Sequence, residues 1–320
     1  MKVLLSILSM LCFLVAPMRG YAASYPDHAV KIVVPFSPGG PTDLLARTLA
    51  KYLQSEMGQP FVVENKAGAA NIIGSAYVAK SAPDGYTLLL VANSHAILPS
   101  TIANLPFDPL KDFEAVAMIG TAPYVLVARP DLGIKTVKDL AQLAKQRGKP
   151  MFYGTPGTGT ANHLAVQMLA DHFGIRFQQV SYKGAAPATQ ALLAGQVDFI
   201  VNNVTSSIPF IQSGELIAAG LTGKGAEDLL PGVPLIGDTI PGFEALAWYG
   251  ILAPANTPAN ILNDLAKAMT HVGEKQDFRD AIMRLGVQPR LMIGDEFEGF
   301  ISSEIDKWAG LAERAGVKPE

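Results

Sequence analysis

Strand-like runs alternate with helix-like runs along most of the chain, and this alternation constrains the fold more than any other feature of the sequence. Val30 to Phe36 has the apolar, β-branched character of a buried strand. Asp43 to Met57 follows with apolar residues three and four positions apart, as in a helix, and Gly58 is its stop signal. The same order recurs at Met151 to Tyr153 and Thr160 to Phe173. The pattern predicts an α/β fold with largely parallel sheets.

The first 22 residues have the three-part composition of a secretory signal peptide. A charged start precedes the apolar stretch Val3 to Ala16, and small residues at Gly20 and Ala22 favour cleavage after Ala22, or after Ala23 as the alternative. The apolar stretch is shorter than the roughly 20 residues that a membrane-spanning helix needs. We therefore predict a signal peptide over residues 1–22 and a periplasmic protein, with an uncleaved N-terminal anchor as the alternative.

The remainder of the chain has a composition that excludes several classes of protein. It has no cysteine, since Cys12 lies within the predicted signal peptide, and a chain of this length buries most of its surface without disulfides. Without Lys2 and Arg19 there are 23 basic and 28 acidic residues, a net charge of −5. This balance argues against nucleic acid and anionic membrane surfaces as partners. No spacing of His, Cys, Asp or Glu predicts a metal site, and we expect no cofactor.

The length predicts two domains, yet no flexible linker separates them. The chain is therefore expected to cross between two lobes on strands, for which the candidates are Val116–Ile119, Tyr124–Ala128 and Trp248–Ala253. A chain that leaves one lobe and returns to it forms a hinge. A cleft between two such lobes is a favoured place for a ligand.

The first candidate site is the loop between the first strand and the first helix. Backbone N–H groups at a helix start attract anions, and two glycines let a ligand approach the backbone. Ser37 adds a hydroxyl donor, and Thr42 or Asp43 can cap the helix. A plain tight turn with a helix cap is the alternative. The candidate ligand-binding residues in this loop are Phe36, Ser37, Pro38, Gly39, Gly40, Thr42 and Asp43.

A second loop has the same arrangement of strand, glycine-rich turn and helix start. Asn162 stands where a dinucleotide-binding pattern requires glycine, and the ending of a phosphate-binding loop is absent. His163 is expected either to make a structural hydrogen bond or to contact a ligand. The two loops together predict an anion site made of helix starts and neutral donors, without Arg or Lys. The candidate residues here are Thr155, Gly157, Thr158, Gly159, Thr160 and His163.

A third segment, Asn93, Ser94 and His95, follows a predicted strand. It is expected either to line the cleft as a third loop or to form a solvated turn.

Several ordered motifs resemble those of the Bug family, also called the TctC-like family, the extracytoplasmic binding proteins of tripartite tricarboxylate transporters. The resemblance covers nearly all of the chain after the signal peptide. The motifs are Val34 to Gly40 with Asp43 and Arg47, Val63 to Ala69, Asp84 to Leu88, Gly157 to Thr160 with His163 and Leu164, Tyr182 to Gly184, Gly195 to Asp198, and Trp248 to Pro254.

The resemblance implies a two-lobed α/β periplasmic-binding-protein fold (Venus-flytrap, type II-like) with a central cleft and hinge strands. We expect lobe 1 to comprise residues 24–122 and 247–320, and lobe 2 residues 123–246. The resemblance also implies a small carboxylate ligand and the membrane subunits of a transporter as partners. Four further candidate ligand-binding residues are Lys183, Gly184, Asn202 and Asn203.

One position departs from the family pattern, because Asn202 stands where the family usually has Asp. If Asn202 faces the cleft, its neutral amide removes a negative charge. A ligand ammonium would then lose a partner, and a second ligand carboxylate would lose a repeller. The departure disfavours amino acids as ligands.

The sequence therefore predicts a monomeric periplasmic solute-binding protein that closes over a small carboxylate and delivers it to a tripartite tricarboxylate-type transporter. A periplasmic sensing module that signals through a membrane receptor shares the same fold and remains the alternative. We do not expect an enzyme, because the sequence has no Gly-x-Ser-x-Gly elbow and no acid and base pair in the glycine-rich loops.

Overall fold

The computed structural model describes residues 25–182, 184–314 and 316–319, so the predicted signal peptide and Lys183 lie outside the described residues. Ten strands and ten α-helices make up this described part. The strands are β1 (Val30–Val34), β2 (Phe61–Asn65), β3 (Thr87–Ala92), β4 (Phe113–Ala128), β5 (Met151–Thr155), β6 (Phe177–Ser181), β7 (Phe199–Asn203), β8 (Ile217–Leu221), β9 (Leu246–Pro254) and β10 (Gln288–Ile293). The helices are α1 (Pro41–Met57), α2 (Ile72–Ala79), α3 (Ser94–Thr101), α4 (Val137–Gln146), α5 (Ala161–Phe173), α6 (Ala185–Leu193), α7 (Val204–Gln212), α8 (Ala259–Glu274), α9 (Gln276–Arg284) and α10 (Asp295–Arg314).

The strands form two sheets that share β4. In the first sheet β2, β1 and β3 run parallel, β9 is antiparallel to β3, and β4 lies between β9 and β10. In the second sheet the end of β4 lies between β7 and β8, and β5 and β6 continue parallel to β7. Both sheets are therefore mixed, and the antiparallel pairs lie along β4 and β9.

β4 is the element that joins the two sheets. Its residues up to Pro123 pair with β9, and from Tyr124 onward they pair with β7 and β8. The sequence predicted two separate runs here, but they form one strand of 16 residues. Thr222 stabilises the point where β4 passes from one sheet to the other. Its hydroxyl is hydrogen-bonded to the backbone of Tyr124 and donates to the carbonyl oxygen of Ala245 at 2.6 Å.

Two helix caps depend only on nearby residues, and the first of them, at Gly58, confirms the predicted stop of the helix. Gly58 takes a left-handed conformation (φ 74°) as the C-cap of α1, where only glycine avoids a steric penalty. Thr136 caps α4, because its hydroxyl accepts a hydrogen bond from the Asp139 backbone N–H at 3.2 Å.

Four elements were not predicted from the sequence, namely α3, α7, β8 and β10. α3 spans only eight residues and contains Pro99, which suppresses the helical signal. β10 carries a register shift between Pro289 and Met292, which breaks the alternation that marks a strand.

A buried carboxylate ties the last helix to β9. Glu304 of α10 is 6% exposed and accepts hydrogen bonds from the indole N–H groups of Trp248 (3.1 Å) and Trp308 (2.8 Å). The ammonium of Lys307 lies 2.9 Å from the other carboxylate oxygen. Both tryptophans are fully buried, so this cluster satisfies polar groups that would otherwise be stranded in the core. Over the residues that the structure describes, none of the helices combines the length and the apolarity needed to cross a bilayer.

Candidate ligand-binding site

A cavity of about 430 Å³ lies where the two sheets meet, and residues of both sheets line it. Strand residues supply its inner surface, α3 supplies one side, and the loop before α5 with the start of that helix supplies another. The lining residues are Phe36, Thr42, Asn71, Ala92, Asn93, Ser94, Ile97, Leu98, Thr101, Tyr124, Pro156, Gly157, Thr158, Gly159, Thr160, Ala161, Asn162, Asn203, Ala247 and Tyr249.

The structure brings members of all three candidate segments to this cavity. The candidate residues among its lining are Phe36, Thr42, Asn93, Ser94, Gly157, Thr158, Gly159, Thr160 and Asn203. The candidate residues that lie outside the lining are Ser37, Pro38, Gly39, Gly40, Asp43, His95, Thr155, His163, Gly184 and Asn202.

The start of α1 already holds a negative charge of the protein itself. Asp43 is 2% exposed, and its carboxylate accepts hydrogen bonds from Gly39 N–H, Arg47 Nε and Asn65 Nδ2, each at 2.9 Å. Burial raises the pKa of Asp43, but the bonds from Arg47, Gly39 and Asn65 outweigh burial and leave this pKa below its usual value. Asp43 therefore occupies the positive end of α1, where the sequence predicted that a ligand anion binds. Ser37, Pro38 and Gly39 of the same loop are exposed.

The start of α5 presents neutral groups to the cavity. The hydroxyl of Thr160 accepts from the His163 backbone N–H at 3.4 Å and donates to the Gly157 carbonyl at 2.8 Å. The first N–H groups of an α-helix have no partner within the helix, and Ala161 and Asn162 both line the cavity. This end of the cavity can therefore receive an anion.

His163 stabilises the glycine-rich loop before α5 from the side away from the cavity. Its ring is 3% exposed, and Nδ1 accepts a hydrogen bond from the Gly159 backbone N–H at 3.0 Å. Because Nδ1 is an acceptor, the proton of the neutral ring is assigned to Nε2. Of the two roles considered for His163, the structure displays the hydrogen bond to the loop.

Three other off-cavity candidates, His95, Thr155 and Gly184, have hydrogen-bond partners within the fold. His95 is buried, with Nε2 2.9 Å from the Pro109 carbonyl, and the hydroxyl of Thr155 donates to the Gly157 carbonyl at 3.0 Å. Gly184 is the N-cap of α6. Of the segment from Asn93 to His95, Asn93 and Ser94 line the cavity, but at the start of α3 rather than in a loop, and the two end residues are buried, which excludes the solvated turn.

Asn202 and Asn203 show the alternation of a strand. Asn203 lines the cavity, whereas the amide of Asn202 donates to the hydroxyls of Thr189 and Ser207, both at 3.2 Å. The condition attached to Asn202, that it faces the cleft, is therefore not met in this structure.

Sequence reasoning missed the apolar part of the lining. Ile97, Leu98 and Thr101 lie on α3, which the sequence did not reveal. Tyr124 and Tyr249 lie on strands that were recognised, and alternation along β9 is a signal that could have separated buried Trp248 from cavity-lining Tyr249. The lining residues not predicted are Asn71, Ala92, Ile97, Leu98, Thr101, Tyr124, Pro156, Ala161, Asn162, Ala247 and Tyr249.

Two buried histidines are expected to make stability fall in acid. Burial lowers the pKa of both His95 and His163 to about 4, whereas an unfolded histidine titrates near 6.5. The unfolded chain thus binds more protons than the folded protein as the pH falls from 6.5 through 4, and each histidine lowers the free energy of unfolding by roughly 3 kcal/mol over this range. Urea denaturation at a series of pH values measures the effect.

His163→Asn isolates one contribution, because an asparagine oxygen can accept the Gly159 N–H but does not titrate. We expect a shallower dependence of unfolding free energy on pH in this variant. His28→Asn changes an exposed histidine and serves as the control. An equal slope in the two variants would contradict the assignment.

The comparisons with known proteins agree with this architecture. The family model described as "Tripartite tricarboxylate transporter family receptor" matches residues 45–317. Protein BugT of Bordetella pertussis is 34% identical over 300 residues, which cover 93% of this chain and 92% of BugT.

Two solved structures resemble the fold closely. The periplasmic binding protein BugD is 32% identical with a TM-score of 0.78, over 92% of this chain and 100% of BugD. The R. palustris protein Rpa4515 with adipate is 30% identical with a TM-score of 0.81, again over 92% of this chain and 100% of that one. The predicted resemblance and the two-lobed periplasmic-binding-protein fold are thereby confirmed. This chain belongs to the family of tripartite tricarboxylate transporter receptors, which includes the Bug proteins.

Proposed function

We propose that this protein is a periplasmic solute-binding protein that captures a small carboxylate by closure of its two lobes and delivers it to the membrane subunits of a tripartite tricarboxylate-type transporter. The observation that carries this proposal is the cavity between the sheets. The start of α5 presents backbone N–H groups there that have no partner within the helix, and none of the described lining residues has a charged side chain that would compete for the anion. The structure of Rpa4515 with adipate supports a carboxylate as the ligand class.

Contacts between the two lobes support closure as the mechanism. The methyl group of Thr101 on α3 would lie 2.5 Å from a Cβ atom placed on Gly159 in the loop before α5. Gln288 donates to the Gly225 carbonyl, and the guanidinium of Arg314 lies 3.8 Å from Asp171. A carboxylate held between these surfaces would be shielded from water, which strengthens its hydrogen bonds to the N–H groups.

The proposed lobes are residues 24–122 with 247–320, and 123–246. The change of partners along β4 between Pro123 and Tyr124 supports the first boundary. The bond from the Thr222 hydroxyl to Ala245 supports the second, because it places the return crossing beside β9.

A thermal-shift screen of the mature protein tests the proposal. Unfolding in denaturant followed by refolding first removes any ligand that co-purifies. A carboxylate at about 100 times its Kd should then add about 2.7 kcal/mol of stability and raise the melting midpoint by several degrees. If no carboxylate shifts the midpoint of refolded protein, the anion site is wrong. Uptake assays in a strain that lacks the protein then distinguish delivery from sensing.

A further inference from the structure

We propose that the ligand is a monocarboxylate whose remaining body is uncharged and largely apolar, rather than a di- or tricarboxylate or an amino acid. This inference rests on the proposed function and narrows its ligand class. It follows from what lines the cavity away from the start of α5.

Apolar side chains line much of the space that the body of a ligand would occupy. Ile97 and Leu98 face it from α3, and Phe36 faces it from the loop after β1. Ala92 and Ala247 add small apolar surface from β3 and β9. Such a lining stabilises a hydrocarbon body by removing it from water.

None of the described lining residues carries a charge that could match a second charge on the ligand. Lys, Arg, His, Asp and Glu are all absent from the cavity lining among the residues that the structure describes. Arg47 is not available either, since its guanidinium is bound to Asp43 and Asn65. Among the described lining residues a second carboxylate would thus meet only neutral groups, and no cation of the described lining would offset its desolvation.

Asp43 makes a second carboxylate still less favourable. It is ionised and buried directly beside Thr42, which lines the cavity. Like charges repel across a region from which water is excluded. A ligand ammonium gains little from Asp43, because Gly39, Arg47 and Asn65 already donate to its carboxylate oxygens.

The polar groups at the strands are neutral. Burial raises the pKa of Tyr249 to about 12 and also raises the pKa of Tyr124, so both remain phenols. Asn93 donates to the Tyr124 oxygen at 3.1 Å. The Tyr249 hydroxyl has no hydrogen-bond partner within the described ranges, although the residue is only 6% exposed. This region therefore suits a neutral hydroxyl or carbonyl substituent on the ligand body.

Matched pairs of acids test the inference in calorimetric titrations of refolded protein. Hexanoate and adipate share a six-carbon chain and differ by one carboxylate, as do benzoate and terephthalate on one ring. We expect at least one monocarboxylate to bind at least tenfold more tightly than its dicarboxylate partner. Adipate monomethyl ester, which removes the second charge, should recover binding where hexanoate binds.

The possible outcomes distinguish failure of the monocarboxylate inference from failure of the proposed function. If a dicarboxylate binds as tightly as its monocarboxylate partner or more tightly, the inference is wrong while the proposed function stands. If neither series binds, nor any other carboxylate in the screen, the proposed function fails with it.

A variant adds an independent test. Leu98→Lys places an ammonium on the apolar wall and should shift the preference toward the dicarboxylate of each pair. Leu44→Lys adds the same charge on α1 at an exposed position outside the lining and should leave the preference unchanged. An equal shift in both variants would overturn the inference, and the ligand pairs on the unmodified protein decide the question if Leu98→Lys does not fold.

Discussion

Replacing Gly159 by valine is expected to weaken ligand binding at least a hundredfold while both lobes remain folded. Gly159 has a φ of +75°, and a Cβ atom on it would lie 2.5 Å from Cγ2 and 3.3 Å from Cβ of Thr101. Thr101 belongs to α3 and Gly159 to the loop before α5, so the clash acts between the two proposed lobes. The added side chain would hold the lobes apart at the place where the ligand is enclosed. Calorimetric titration with the acid found in the thermal-shift screen measures the loss.

A matched glycine separates the clash from backbone strain. Gly214 has a φ of +77° and no atom within 4 Å of a Cβ placed on it, so Gly214→Val has the same conformational cost without a clash. Ligand affinity should be unchanged in Gly214→Val, although both variants should lose similar stability.

Thr101→Ala removes the methyl group that a Cβ on Gly159 would strike. Combined with Gly159→Val, it should restore part of the affinity. Wild-type affinity in Gly159→Val alone would show that closure at this contact is not needed for binding.

Replacing Glu304 by leucine is expected to lower the free energy of unfolding by about 3 kcal/mol. The leucine would fill the space, but the indole N–H groups of Trp248 and Trp308 would lose their common acceptor inside the core. Each buried donor without a partner costs about 1–3 kcal/mol. Urea denaturation followed by tryptophan fluorescence measures the change directly, because these are the two tryptophans of the chain.

Two further variants show whether the acceptor matters. Glu304→Gln keeps one oxygen that can accept an indole N–H and should lose less than the leucine variant. Glu313→Leu changes an exposed residue of the same helix and should stay within about 0.5 kcal/mol of the unmodified protein. Equal stability of Glu304→Leu and Glu313→Leu would contradict the role assigned to the cluster.

The sequence predicted the alternation of strands and helices because that pattern is local. α1 and the caps at Gly58 and Thr136 depend on residues within a few positions of one another. β4 was divided into two runs because its middle, Gly120 to Pro123, has no strand-like pattern of its own. Pairing with β9, which lies more than a hundred residues away along the chain, holds that middle extended.

For the candidate site, the sequence indicated the loops but not which of their residues face the cavity. Asp43 and Thr42 are neighbours, yet one binds Gly39, Arg47 and Asn65 while the other lines the cavity. That difference depends on Asn65, a strand end 22 residues away. The lining residues on α3 could not be predicted, because Pro99 suppresses the helical signal of that short segment.

The course of β4 through both sheets lets ligand selectivity and ligand residence time depend on different residues. Tyr124 and Tyr249 lie on the strands that join the two proposed lobes, so under the proposed closure we expect them to stay in place as the cleft opens and to set which molecule fits. Thr101 and Gly159 lie in opposite proposed lobes, and under the proposed closure we expect their contact to break before the ligand leaves. Substitutions at Thr101 or Gly159 can thus change the residence time of the ligand without altering the ligand selectivity that Tyr124 and Tyr249 set.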